Sequence, residues 1–220
     1  MLRQAQHERV GSALLAALLL AACGRVERPA QPVAGITKPS ARETAQCLAD
    51  LTQLGVSFKV LPDRETGSGC GIAGAVTLTD IGVPVTNLTA VRCGEARAFT
   101  GWVRNAVAPA AYQMLGSEVA RVETFGSYTC RNVIGSARSA GRRSGHAIAN
   151  AIDFAGVTLR DGRRVSVLND WTSPDPATRQ FLQTIHASAC KRFGTVLSPE
   201  YNAAHRNHLH LENDRAHFCR

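Results

Sequence analysis

The chain has 220 residues, a formal net charge of +8, and 45% hydrophobic but only 5% aromatic residues. The basic balance favours anionic partners. Nucleic acid is not expected among them, because the basic residues are scattered and are not interleaved with aromatic side chains that could stack on bases.

The first residues predict an export signal. A weakly basic stretch with Arg3 and Arg9 precedes an uncharged apolar run from Val10 to Ala22. A run of about a dozen residues is too short for a membrane-spanning helix, which needs roughly 20. We therefore predict a signal peptide over residues 1–22.

The end of this run predicts which kind of signal it is. Leu20-Ala21-Ala22-Cys23, followed by Gly24, resembles a bacterial lipobox, in which the cysteine is acylated and becomes the mature N-terminus. The alternative is an ordinary secretory peptide cut near Ala22, with an incidental cysteine. Gly24 in place of an aspartate resembles the signal for outer-membrane sorting. We expect a cell-envelope protein that is lipid-anchored through Cys23, faces the periplasm and resides at the outer membrane.

The rest of the chain divides into a tether and one domain. Residues 23–42 are rich in Pro, Ala, Gly and charge and predict a flexible tether. Residues 43–220 have the length of a single domain that can bury a core. Without the signal peptide's Arg3, Arg9 and Glu8, the net charge falls by one, from +8 to +7.

Six cysteines remain after Cys23, an even number in a chain that is expected to be exported. An oxidising compartment would close three disulfides, and six cysteines allow 15 pairings that the sequence does not rank. Thiolate metal binding is disfavoured, because the chain has no C-x-x-C pair. The expected disulfide cysteines are Cys47, Cys70, Cys93, Cys130, Cys190 and Cys219.

Hydrophobic periodicity predicts three helices and several short strands. The helices are expected over residues 41–54, 94–114 and 176–193. The strands are expected over 75–78, 119–124, 151–159, 164–168 and 209–212. Asp161-Gly162 predicts a hairpin between two of these strands, since it supports a tight turn. The expected fold is α+β, with a small antiparallel sheet, flanking helices and disulfide bridges.

Two segments carry candidate catalytic residues. His208 and His210 are two residues apart, so in a strand they face the same side. Upstream, His146 and Asp153 are seven residues apart. A catalytic zinc takes three nitrogen or oxygen ligands and keeps one open position for water, and His146, Asp153 and His210 could supply them.

Two further residues are candidates for the chemistry itself. His208 could shuttle a proton or stabilise an oxyanion. Arg131 could hold a substrate carboxylate or developing negative charge. His205 could line the site, whereas His7, His186 and His217 are assigned no chemistry.

The motif Ser-x-His-x(6)-Asp, followed by His-x-His, resembles the signature shared by lysostaphin-type enzymes, D-alanyl-D-alanine metallopeptidases and the hedgehog signalling domain. More narrowly, the chain from Cys47 to Cys219 resembles the bacterial extensin-like C-terminal domain family. The segments that carry this resemblance are Cys47–Phe58, Cys93–Trp102, Gly126–Arg131, Ser144–Asp153, Val167–Trp171, Phe181–Cys190, Phe193–Glu212 and Cys219-Arg220.

This resemblance implies a zinc-peptidase-like fold with His146, Asp153 and His210 at the metal positions. Two residues depart from the metallopeptidase pattern. Ala149 stands where a glycine is usual. Asn207 stands near the position of the catalytic glutamate in D-Ala-D-Ala peptidases, and an amide cannot act as a general base.

Two functions remain open at this point. The first is a zinc-dependent peptidase acting on peptidoglycan peptide bonds. The second is a non-catalytic module on the same fold that binds or scaffolds the cell wall, and Asn207 is its main support. In both cases the expected partners are peptidoglycan or another anionic wall polymer, and the membrane through the N-terminal lipid.

Overall fold

The computed structural model describes residues 36–135 and 137–220, but not the side chain of Arg138. The predicted signal peptide, Cys23 and the tether up to residue 35 lie outside the described residues. Within the described part of the chain, no helix combines the length and the apolar character needed to cross a bilayer.

The described chain has five α-helices and eleven short strands. The helices are α1 (Ala41–Gln53), α2 (Cys93–Trp102), α3 (Ala108–Leu115), α4 (Val167–Asp170) and α5 (Pro176–Cys190). The strands are β1 (Ser57–Val60), β2 (Arg64–Gly67), β3 (Cys70–Ile72), β4 (Ala75–Asp80), β5 (Val91–Arg92), β6 (Val119–Gly126), β7 (Ala151–Leu159), β8 (Arg164–Ser166), β9 (Thr195–Leu197), β10 (Leu209–Glu212) and β11 (Phe218–Cys219).

The strands form three small sheets. The largest has the order β11-β9-β10-β7-β6, with β8 also paired to β7. Its pairs are antiparallel except for β11 with β9. A second sheet has the order β1-β4-β5, and β2 pairs with β3. The predicted α+β class is therefore confirmed, and β7 and β8 form the hairpin expected around Asp161-Gly162.

The predicted second helix is interrupted by a wider turn. Val103–Val107 is a π-helical segment between α2 and α3. Pro109, in the first turn of α3, has no N–H, and its ring would clash with the carbonyl four residues back in a regular α-helix. The wider turn accommodates Pro109 without breaking the helical path.

The predicted strand over 164–168 is shorter than expected. β8 ends at Ser166, whose side chain accepts a hydrogen bond from Asn169 N and so caps the short helix α4. Asp170 accepts from Ser166 N. Similarly, α5 ends at Cys190 rather than Phe193, and α1 begins at Ala41, capped by Ser40.

The core lies between the largest sheet and helices α2, α3 and α5. Trp102 is fully buried, and its ring meets Phe154 of β7 edge-on at 5.1 Å and Phe193 at 6.2 Å. Its indole N–H donates to the Ile185 carbonyl at 3.1 Å, which joins α2 to α5. Through these contacts, α2 and α5 pack together and Trp102 packs against β7.

All six expected cysteines form disulfides. Cys47 pairs with Cys93, Cys70 with Cys130, and Cys190 with Cys219. The first bridge joins α1 to α2, the second joins β3 to the loop after β6, and the third joins α5 to β11.

Candidate metal centre

Three side chains converge where β7 and β10 meet. His210 in β10 lies directly opposite Asp153 in β7 in the antiparallel register. His146 comes from the 3-10 turn Gly145–Ile148, which precedes β7. Ser144 caps this turn by accepting from His146 N, and Ala149 ends it.

Ala149 has the left-handed backbone conformation, with φ 56°. Glycine adopts this conformation more easily than alanine does. The turn therefore holds an alanine in the left-handed conformation and carries its methyl group. Ala149 is fully buried, and its N–H donates back to the His146 carbonyl at 3.1 Å.

The ligand atoms form a nearly equilateral triangle. His146 Nε2 lies 3.0 Å from His210 Nδ1 and 3.1 Å from Asp153 Oδ1, and His210 Nδ1 lies 3.1 Å from the same oxygen. Tetrahedral zinc ligands at about 2.0–2.1 Å from the ion lie about 3.3 Å apart. The triangle is slightly tighter than this and has the right size for one ion.

Hydrogen bonds on the far side of each ring fix which nitrogen faces the triangle. His146 Nδ1 contacts the Ser127 carbonyl oxygen, so this nitrogen carries the proton. His210 Nε2 lies 3.4 Å from Glu212 Oε2 and donates to it. Each ring therefore turns a lone pair towards the other ring and towards the Asp153 carboxylate, an arrangement that requires a cation or a proton between them.

Gly145 makes room for the Glu212 carboxylate. A Cβ placed at Gly145 would lie 2.3 Å from Glu212 Cδ and 2.4 Å from its Oε1. Glu212 could not keep this position beside any other residue. The glycine before His146 therefore helps to orient His210, although the two are distant in sequence.

The electrostatics agree with a site that attracts positive charge. Burial opposes the ionisation of Asp153, but its contacts with His146, His208 and His210 outweigh this effect and hold the pKa of this carboxyl well below its usual range. Burial also opposes a charge on His210, yet Asp153 and Glu212 raise its pKa to about 9. In the absence of metal, a proton at His210 supplies the cation that the cluster needs.

His208 lies beside the triangle. Its Nε2 is 3.3 Å from Asp153 Oδ1, and its Nδ1 is 2.8 Å from Asn207 Oδ1. Phe125 meets the ring edge-on at 6.0 Å. Asn207 therefore orients a ring that can hold a proton at the edge of the site.

A cavity of about 440 Å³ adjoins His210. Arg131 and His205 line it, together with Arg142 and Tyr201. His205 is buried, and its ring lies 5.2 Å from that of His208 and 5.8 Å from that of His210. Burial, followed by the charges of these two histidines, lowers the pKa of His205 to about 4, so it is neutral at physiological pH.

The donor set fits zinc. Two imidazole nitrogens and one carboxylate oxygen are the usual protein ligands of a catalytic zinc ion with one open position. The His146 and Asp153 side chains are 3% and 14% exposed, so the cluster is shielded but reaches the surface through its carboxylate. All three sequence-predicted ligands meet here, with His208 beside them and Arg131 in the adjoining cavity.

The roles of three contributors are not predicted by the sequence. Glu212 carried a usable signal, because alternation along a strand places residues 208, 210 and 212 on one face. The sequence identifies Asn207 only as a residue that cannot act as a general base, and not as the hydrogen-bond partner of His208. His146 contacts the backbone carbonyl of Ser127, and because a backbone contact does not depend on the residue type, the sequence does not predict it.

Comparison with known proteins identifies one family. The family model described as "Extensin-like protein C-terminus" matches residues 45–220, which is most of the chain and includes the whole site. No curated protein and no solved structure matches the chain significantly.

Proposed function

The chain belongs to the extensin-like protein C-terminus family, and we propose that it is an exported, lipid-anchored zinc peptidase that acts on peptidoglycan peptide bonds. The observation that carries the proposal is the triangle of His146 Nε2, Asp153 Oδ1 and His210 Nδ1, with an acceptor for the outer nitrogen of each ring. The finer relationship to lysostaphin-type, D-alanyl-D-alanine and hedgehog-type domains is part of the same proposal.

The chain's own residues have separable roles in this proposal. His146, Asp153 and His210 would hold zinc, which polarises a carbonyl and lowers the pKa of a bound water. His208 accepts a proton at Nε2 and returns it to the leaving amine, while Asn207 fixes the ring. Arg131 binds a carboxylate of the substrate in the adjoining cavity.

The lipid anchor and the envelope location rest on sequence alone. They are supported by the apolar run that ends in Leu20-Ala21-Ala22-Cys23. Replacing Cys23 with serine in cells should move the chain from the membrane fraction to the soluble envelope fraction. An unchanged membrane fraction would contradict the lipid anchor without bearing on the metal site.

Hydrolysis is tested with purified full chain, zinc and peptidoglycan sacculi or isolated muropeptides. We expect new peptide products that depend on zinc and that fall about 10²–10⁴-fold with His208→Ala, since general acid–base catalysis contributes that much. His217→Asn is the matched control, because His217 is exposed and has a left-handed backbone that asparagine tolerates. If zinc-loaded protein leaves the peptidoglycan digests unchanged, the proposed peptidase activity is refuted.

One observation favours a second candidate, a wall-binding module without catalysis. The two carboxylates that contact these histidines are engaged: Asp153 with three histidines and Glu212 with His210. Neither is free to act as a general base. This candidate predicts that sacculus binding persists in His208→Ala and that wild-type protein releases no product.

A further inference from the structure

A second cluster of possible metal-ligand atoms lies near the C-terminal end of helix α5. His186 and Cys190 are four residues apart on α5 and therefore share one face of the helix. Cys219 of β11 is bridged to Cys190. His186 Nε2 lies 3.6 Å from Cys190 Sγ and 3.7 Å from Cys219 Sγ, so the ring nitrogen faces both sulfurs.

The imidazole is held in this position by its surroundings. The Trp171 ring meets it edge-on at 5.6 Å and is itself only 8% exposed. His186, Cys190 and Cys219 are all partly buried. The other two bridges have no comparable third ligating side chain within the described ranges, which sets this bridge apart.

These distances match those between ligands of one metal ion. Zinc–sulfur bonds of about 2.3 Å and zinc–nitrogen bonds of about 2.0 Å place sulfur and nitrogen ligands about 3.5 Å apart in a tetrahedron. The observed nitrogen–sulfur distances need little change. The two sulfurs must separate to about 3.8 Å once the bridge opens, and rotation about each Cα–Cβ bond supplies this.

We propose that His186, Cys190 and Cys219 form a second metal site, for a soft divalent cation of the zinc class, when a dithiol reductant opens the Cys190–Cys219 bridge. Two electrons and two protons pass from the dithiol to the sulfurs, which become two thiols while the reductant becomes a disulfide. The cation then displaces one proton from each thiol, and the His186 lone pair fills a third position.

The site has a consequence for the cavity beside the first metal centre. β11 carries Phe218, which lines that cavity, and Cys219 ties the strand to α5. A metal ion bound between α5 and β11 would retain this tie after reduction. The reduced protein without metal would hold β11 by its pairing with β9 and by the contact of Phe218 with the Tyr201 ring, without the covalent tie to α5.

The test uses cobalt(II) as a spectroscopic probe on the full chain, with and without a mild dithiol. Thiolate ligation gives a near-ultraviolet charge-transfer band, whereas the His146, Asp153 and His210 site contains no sulfur and cannot give one. We expect the band only after reduction and removal of the dithiol, whose own thiolates would give the same band, at about one ion per chain. A reduced, folded chain that shows no band would overturn the proposal, whatever the first site does.

A second measurement needs no variant. Zinc should slow the alkylation of Cys190 and Cys219 in the reduced wild type at least about tenfold, located by peptide mapping, because the metal-bound thiolates are shielded. Equal rates with and without zinc would overturn the proposal.

His186→Ala should weaken cobalt binding about 10–100-fold while leaving both thiols present, and unchanged affinity would exclude His186 as a ligand.

Discussion

Replacing Gly145 with alanine should weaken zinc binding without removing any proposed ligand. The new Cβ would lie 2.3 Å from Glu212 Cδ, whereas ordinary contact begins at 3.4 Å, so the carboxylate must shift by roughly 1 Å. His210 Nε2 then loses the acceptor that it now has at 3.4 Å. Loss of such an outer hydrogen bond lowers metal affinity about 10–100-fold, or about 1.4–2.8 kcal/mol.

The assay is competition between the oxidised full chain and a chromophoric zinc chelator. Gly94→Ala is the matched control, because its Cβ would meet only Asn213 Nδ2 at 3.4 Å. Glu212→Ala should reproduce the loss seen with Gly145→Ala. Affinity within about twofold of wild type for a folded Gly145→Ala protein would refute the role given to Glu212.

Three further predictions concern pH and stability. In the metal-free protein, the pKa of His210 is raised from 6.5 to about 9, so its contribution to stability is full below pH 6.5 and is lost as pH rises through 9. Urea unfolding across this pH range measures that contribution. A free energy of unfolding that does not change with pH would contradict the proton at His210. Burial raises the pKa of Glu95 well above 4.5, so the contribution of Glu95 to stability falls as pH rises above 4.5, and Glu95→Gln should remove this part of the pH dependence in the same assay. Trp102→Ala should cost about 3–5 kcal/mol of unfolding free energy because it empties a fully buried position against β7, and a cost below about 1 kcal/mol would contradict the core described above.

The regular elements that frame the site were predictable from the sequence. The predicted bounds of β7 and β10, 151–159 and 209–212, are confirmed, because β-branched or alternating apolar residues mark both segments. Other strands left no such pattern. β1 and β2 are largely exposed, and β11 has two residues, so neither alternation nor length distinguishes them from loops.

The convergence of three side chains was predictable from the sequence, but the residues that support them were not. His146, Asp153 and His210 follow from spacing and from the family resemblance. The contact of Gly145 with Glu212 joins residues far apart in the chain, and only the pairing of β7 with β10 brings them together. The same holds for His186, which is unremarkable in sequence and meets Cys219 only after α5 and β11 have packed.

The most direct test of the account is the metal content of the oxidised full chain, measured by elemental analysis beside a His146→Ala/Asp153→Ala double variant. We predict about one zinc per wild-type chain and none in the folded double variant. The absence of bound metal in folded wild-type protein, even after reconstitution with zinc, would contradict the proposed metal centre.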